Sequence, residues 1–348
     1  MNGLCLMDDG FHRIMKSDPI TETHRERLLN LEAHLLENIR GQDTALVRMA
    51  SVLRRGELDL CSPHRPKGSL LLLGPTGVGK TESTVVFTRY LRGDDCLFRF
   101  DMSEYQTQES LSLLLGADSQ ERGNLGRCVT GATNGTLLFD EIEKAHPRIM
   151  DVFLQILDAG RVTFADGFTA DLSGFYIVFT SNIASSELLD WQHSSFATME
   201  RHVLTHAQQW LRPELYARIT EKLVFQRLSY EVQTDIAQLM LTRHLAMLEA
   251  RGHCLVAEPD VLPFLIRHGF HPRLGARPLR DAIERLVGDA VAASLLHAGS
   301  GGGFLLVKDD RLLRVKPNEF SAAVPSQSAA PSQPWGHGIQ SEPGFSSR

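Results

Sequence analysis

The chain has 348 residues, a formal charge of −6 from 36 Lys and Arg against 42 Asp and Glu, and a hydrophobic share of 43%. At roughly 150 residues per domain the length suggests two domains and a remainder, and the apolar share excludes wholesale disorder. The acidic balance argues against a basic coat for nonspecific nucleic-acid binding.

Five cysteines (Cys5, Cys61, Cys96, Cys128 and Cys254) are odd in number, scattered and without a C-x-x-C pair, so neither a disulfide framework nor a zinc knuckle is expected. No apolar run approaches the roughly 18 residues needed to span a bilayer. The first residues carry acids where a signal peptide needs an uncharged apolar core. These features together lead us to expect a soluble cytoplasmic protein.

In chain order, residues 1–22 form a lead without clear pattern. Leucines 28, 31 and 35 then fall on one face of an amphipathic helix over Thr23–Leu36, and a second helix follows Gly41, from Asp43 to about Leu60. Ser69–Leu73 is an unbroken apolar run, the pattern of a parallel strand buried on both faces. A glycine-rich turn leads into a helix over Glu82–Leu91. Strands at Cys96–Phe100, Thr136–Phe139, Phe175–Thr180 and Lys222–Phe225 then alternate with helices at Gln106–Leu115 and Arg148–Asp158. That alternation predicts a doubly wound, mostly parallel α/β sheet over residues 23–228. From about 229 to 320 the texture changes to a smaller α+β, mostly helical domain, with helices at Tyr230–Ala250, Pro259–His268 and Pro278–Leu296 and short strands at Cys254–Ala257, Phe304–Val307 and Leu312–Val315. In residues 321–348, 17 of 28 are Ser, Pro, Gln or Gly, so this stretch is expected to be a disordered tail, with Trp335 and Phe345 as its few apolar anchors.

Gly74-Pro75-Thr76-Gly77-Val78-Gly79-Lys80-Thr81 fits G-x-x-x-x-G-K-[ST] and lies between a strand and a helix, where that pattern works. Its glycines let backbone N–H groups curl around phosphate oxygens at a helix N-terminus, whose dipole favours anions. Lys80 would reach the β- and γ-phosphates, and the Thr81 hydroxyl would ligate Mg²⁺. Thr136-Leu-Leu-Phe-Asp140-Glu141 brings two carboxylates to the C-terminal end of a buried strand, where ligands gather in open α/β sheets. Asp140 would hold Mg²⁺ through its water shell, and Glu141 would polarise the attacking water. Glu143, Lys144 and His146 read as a solvated helix start. Thr180-Ser181-Asn182 ends the next strand, and the Asn182 amide can orient the lytic water from the opposite side.

These motifs, with LLNLEAHLL (28–36), Gly41-Gln42-Asp43, DMSEY (101–105), LLFDEIEKAHP, LQILDAGRVT, FTSN, LRPELYARI and GARPLRDAIE in this order, resemble the second ATPase ring of Clp-type AAA+ unfoldases and disaggregases. The resemblance runs from about Pro19 to Val315. It implies a P-loop AAA+ three-layer parallel-sheet domain followed by a small lid domain, with no room for a first ring or an N-terminal substrate domain. It further implies an ATPase using ATP and Mg²⁺, a homo-hexameric ring and a protein client. Two arginines acquire roles in this way: Arg218 as the arginine finger entering a neighbour's site, and Arg277 as the lid's sensor of the γ-phosphate. Ile39 falls in the segment lining the adenine pocket, beside Arg40 where the family usually has an aliphatic residue, and Glu82 closes the phosphate-loop motif.

One departure concerns the loop Gly116–Gly126. It is about five residues shorter than the family's substrate-gripping loop and carries no aromatic, which points to atypical threading; Leu125 or Arg122 are candidates for another grip. No Ile-Gly-Leu/Phe-type tripeptide lies between Asn182 and Arg212, so a protease partner is not expected. An alternative function is an AAA+ switch or loader on a nucleic-acid complex, for which Arg267, His268, His271, Arg273, Arg277 and Arg280 could be cited.

Overall fold

A computed structural model describes residues 21–118, 121–183, 185, 195–271, 274–297 and 304–317. The tail with Trp335 and Phe345, most of the lead, and Arg273 lie outside the described residues.

Two helices open the fold, α1 (Glu22–Asn38) and α2 (Asp43–Glu57). Then come β1 (Gly68–Leu73), α3 (Lys80–Arg92), β2 (Leu97–Asp101), α4 (Ser110–Leu115), α5 (Gly123–Val129) and β3 (Gly135–Asp140). They are followed by α6 (Pro147–Ala159), the hairpin β4 (Arg161–Thr163) and β5 (Thr169–Asp171), and β6 (Phe175–Ser181). Helices α7 (Phe196–Trp210) and α8 (Pro213–Arg218) lead to β7 (Glu221–Val224).

The large sheet runs β2-β3-β6-β1-β7, and every pairing in it is parallel. Every residue of β1, β3 and β6 is buried, because their apolar runs face helices on both sides. Alternation along β1 sorts the faces: Leu71 and Leu73 join one core with α4–α8, while Leu70 and Leu72 join another with α1–α3. The first core is organised by Phe139, whose ring lies 4.6 Å from that of Phe153 and 5.6 Å from that of Phe179. This is a three-layer α/β/α domain.

The smaller unit comprises α9 (Tyr230–Ala250), β8 (Leu255–Ala257), α10 (Val261–Gly269), α11 (Arg277–His297), β9 (Phe304–Asp309) and β10 (Leu312–Pro317). Its sheet runs β10-β9-β8, antiparallel then parallel, under a third core drawn from α9, α10 and α11.

The sequence reading missed α5, the β4–β5 hairpin, α7 and α8. The hairpin strands have three residues each, too few for a periodic signal. α5 contains Gly123 and Gly126, poor helix formers, and exists because it packs on α4. The helix expected over Gln106–Leu115 begins only at Ser110, whose hydroxyl takes the Thr107 N–H at 3.3 Å and fixes a turn there.

Candidate nucleotide-binding site

The turn from β1 into α3 is shaped by glycine. Gly77 has φ +74°, and a Cβ on it would stand 2.0 Å from the Leu274 carbonyl oxygen of the smaller unit. Gly275 has φ +61°, and a Cβ there would stand 2.5 Å from the Gly77 oxygen. The two backbones therefore touch, and the Ala276 N–H donates to the Gly77 carbonyl at 3.0 Å. No side chain fits between the loop and the entrance of α11.

Lys80 opens α3 and is 7% exposed. Its Nζ donates to the Gly74 and Pro75 carbonyls at 2.6 and 2.7 Å and to Asn182 Oδ1 at 2.9 Å. Burial pulls its pKa down to about 8, opposed by Glu143, Asp140 and Glu141 in that order, with Arg277 adding to the depression. Gln42, 1% exposed, braces the loop from beneath through bonds to the Val78 oxygen at 3.2 Å and the Gln226 oxygen at 3.0 Å.

Asp140 ends β3 and lies beside the loop. Thr81 Oγ1 is 3.4 Å from Asp140 Oδ2, and Arg99 Nη2 on β2 donates to the same oxygen at 2.6 Å. Thr180 Oγ1 donates to Asp140 Oδ1 and accepts the Glu141 N–H at 3.1 Å. Arg99 and Thr180 were not anticipated as site residues; their signal was strand register, which sets β2 and β6 on either side of β3. Hard oxygen donors from Thr81 and Asp140 suit Mg²⁺, which takes few protein ligands and completes its shell with water and phosphate. No cluster of three or more His, Cys, Asp or Glu that could hold a metal occurs among the described residues.

Glu141 adopts φ +56°, ψ +53°, a left-handed conformation that a non-glycine residue takes at a cost of roughly 1–3 kcal/mol. The kink turns its carboxylate toward Asn182, whose Nδ2 donates to Glu141 Oε1 at 3.1 Å, while Lys144 pairs with Oε2. Asn182 Oδ1 also accepts from Thr76 Oγ1 at 3.3 Å. Asn182 thus stands between Lys80 and Glu141. The solvated helix start read from Glu143, Lys144 and His146 needs correction: one Glu143 oxygen accepts the Asn182 N–H at 3.1 Å and the other is buried. His146 caps α6 through Arg148 N at 3.3 Å.

Between the loop and the smaller unit lies a cleft of about 230 Å³ whose lining includes Thr76, Val78, Leu228, Gln233 and Phe270. Ile39 is buried beneath the loop, its Cγ2 3.4 Å from where a Cβ of Gly79 would stand, and Arg40 folds back onto the Leu36 carbonyl at 3.1 Å. Arg277 is exposed at the mouth of α11, close enough for its charge to act on Lys80. Glu82 meets Arg280 of α11 at 3.2 Å. Arg218 stands apart, paired with Asp158 and with the Glu214 carbonyl at 3.1 Å.

In the loop Gly116–Gly126, residues 119–120 lie outside the described residues, and the described ones on either side are held. Ala165 of the hairpin donates to the Leu115 carbonyl at 3.1 Å, Arg122 bonds Asp166 at 2.5 Å, and its guanidinium covers the Phe168 ring at 4.1 Å. Leu125 is fully buried and cannot act as a surface grip.

A family model for the AAA domain (Cdc48 subfamily) matches residues 65–222, and one for the C-terminal, D2-small domain of ClpB protein matches residues 228–303. The chain belongs to the Clp-type AAA+ ATPases. Within this Clp-type group, chaperone protein ClpB 2 of a Nostoc species is 38% identical over 304 residues, spanning 84% of this chain and 35% of that protein. Heat shock protein 100 of Trypanosoma brucei brucei is 38% identical over 80% of this chain and 33% of its own length. A closed-state cryo-EM reconstruction of Hsp104 with ATPγS and FITC casein superposes with a TM-score of 0.77 at 27% identity, covering 85% of this chain and 52% of that one. The chain spans about a third of the length of the curated relatives it matches. It matches their second ATPase module. No helix among the described residues is long and apolar enough to cross a membrane.

Proposed function

We propose that this chain is a Mg²⁺-dependent ATPase that works as a cytoplasmic homo-hexameric ring and remodels protein clients. The observation that carries the reading is the meeting of Lys80, Thr81, Asp140, Glu141 and Asn182 at one end of the parallel sheet, under the mouth of α11. The backbone of residues 74–79 cradles the phosphates of ATP, and Lys80 turns its ammonium from the loop carbonyls to the β- and γ-phosphates. Thr81 and Asp140 hold Mg²⁺, which neutralises phosphate charge. Glu141 takes a proton from the attacking water while the Asn182 amide orients that water. Arg277 touches the γ-phosphate from the lid, and Arg218 serves the site of a neighbouring subunit. Ile39 supports the adenine end and Glu82 anchors the lid through Arg280.

Client handling follows from the composition of this loop and the attachments of its described residues. With Arg122 and Leu125 both engaged in packing or pairing, the loop at 116–126 lacks the free aromatic arm of a threading unfoldase. This favours tugging on a folded partner or a short tail, without a protease partner. Nucleic acid is a poor fit, since Arg280 is paired with Glu82 and the charge of Arg277 acts on Lys80.

Glu141→Gln tests the chemistry. The variant is expected to bind ATP as the parent does and to lose at least about 10²-fold in turnover, the usual contribution of a positioned base. Hydrolysis at the parent rate, followed as phosphate release, would remove Glu141 from that role.

A further inference from the structure

Glu143 is the third acid of the turn after β3 and has no part in the reading above. It sits in a single 3-10 turn, Ile142–Lys144, entered through the left-handed Glu141. One of its oxygens accepts the main-chain N–H of Asn182 at 3.1 Å. The other is buried and meets no hydrogen-bond donor among the described residues. A carboxylate oxygen held in that way is costly, and a turn free to face solvent would turn it outward.

The reason lies where the sheet stops. The ladder between β3 and β6 ends at Phe139 and Phe179, and that between β1 and β6 ends at Leu73 and Ser181. Asn182 is the first residue beyond both, so no neighbouring strand takes its N–H. Glu143 supplies that acceptor. From this anchored backbone the Asn182 side chain reaches Lys80 at 2.9 Å, Thr76 at 3.3 Å and Glu141 at 3.1 Å.

We propose that Glu143 is a positioning residue for hydrolysis, replacing the missing strand neighbour so that the Asn182 amide stays between the base and the phosphate-binding lysine. The proposal rests on the ATPase reading. It makes Glu143 act through Asn182 and gives it no contact with the nucleotide, so its removal should affect turnover more than binding.

The test compares ATP turnover and KM for Glu143→Ala, Glu143→Gln, Asn182→Ala and the Glu143→Ala/Asn182→Ala double variant. Glu143→Ala is expected to lose about tenfold or more in kcat with KM within about threefold, the pattern of an interaction made in the transition state. Glu143→Gln keeps an acceptor oxygen for the Asn182 N–H and is expected to recover to within about threefold of the parent. The double variant should be no slower than Asn182→Ala alone, since residues acting in series are not additive. If Glu143→Ala does not fold, Glu143→Asp, whose shorter arm cannot span the gap, replaces it with the same expected loss. Additive losses, an unrescued Glu143→Gln, or unchanged kcat would each overturn the proposal. Asn182→Ala impaired with Glu143→Ala normal sinks this proposal alone, whereas a parent that neither binds nor hydrolyses ATP sinks the ATPase reading and this proposal with it.

Discussion

A single hydroxyl links the two acids at the end of β3. Thr180 is 1% exposed, donates to Asp140 and accepts the Glu141 N–H at 3.1 Å, so it holds one carboxylate in place and anchors the backbone of the other in its left-handed turn. Thr180→Val keeps the shape and removes both bonds. Leaving the part-buried Glu141 N–H and the Asp140 carboxylate without this partner should cost about 1–3 kcal/mol. The expected result is a melting temperature a few degrees lower, with turnover reduced at least about tenfold, because Asp140 and Glu141 lose their common brace. Thermal melts read beside ATPase rates check it, and unchanged rates would show that Thr180 braces the fold alone. Lys80 belongs to the same scale. At about 1.4 kcal/mol per tenfold in proton affinity, keeping its buried amine charged at neutral pH costs on the order of 3 kcal/mol, a cost that the phosphates of the proposed nucleotide would offset.

The elements decide how the site closes. The entrance of α11 meets the phosphate loop through backbone contact, beside the Arg280–Glu82 pair, and two glycines on the same stretch of chain offer a test of that contact. Gly275 has φ +61° with the Gly77 oxygen 2.5 Å from its would-be Cβ, whereas a Cβ on Gly288, inside α11, meets nothing within 4 Å. Gly275→Ala is expected to weaken ATP binding by about tenfold or more, as both the strained φ and the clash push the lid off the loop. Gly288→Ala should leave binding unchanged and stabilise by about 0.5–1 kcal/mol. Titration with a fluorescent ATP analogue distinguishes them; equal affinities for both variants would mean that this backbone contact does not govern binding. This closure was only partly legible: Pro278 marks a helix entrance in the sequence, but nothing local says which loop that entrance meets.

At the scale of the molecule, the proposed ring gives Arg218 its role. It stands on α8 with Asp158 as its charge partner and is not among the side chains bonded to Lys80, so the proposed role in hydrolysis is one toward another subunit. Arg218→Ala and Lys80→Ala chains should each be inactive alone. Mixed, they should recover a measurable fraction of ATPase activity, because some interfaces then pair an intact loop with an intact arginine. No recovery at any mixing ratio would argue that the site is complete within one chain.

The parallel sheet, the phosphate loop and the acids at the end of β3 are legible in the residues themselves, because unbroken apolar runs mark strands buried on both faces and the loop chemistry is local. The contacts of Arg99, Thr180 and Glu143 are not, since each depends on which strand lies beside which and on where the ladders end. The same holds for the loop at 116–126: its missing aromatic is plain in the sequence, whereas its attachment to the β4–β5 hairpin arises from long-range packing. Local spacing determined what chemistry the chain carries. Tertiary structure decided which residues brace that chemistry, because side chains distant in sequence meet only when strand order and lid docking bring them together.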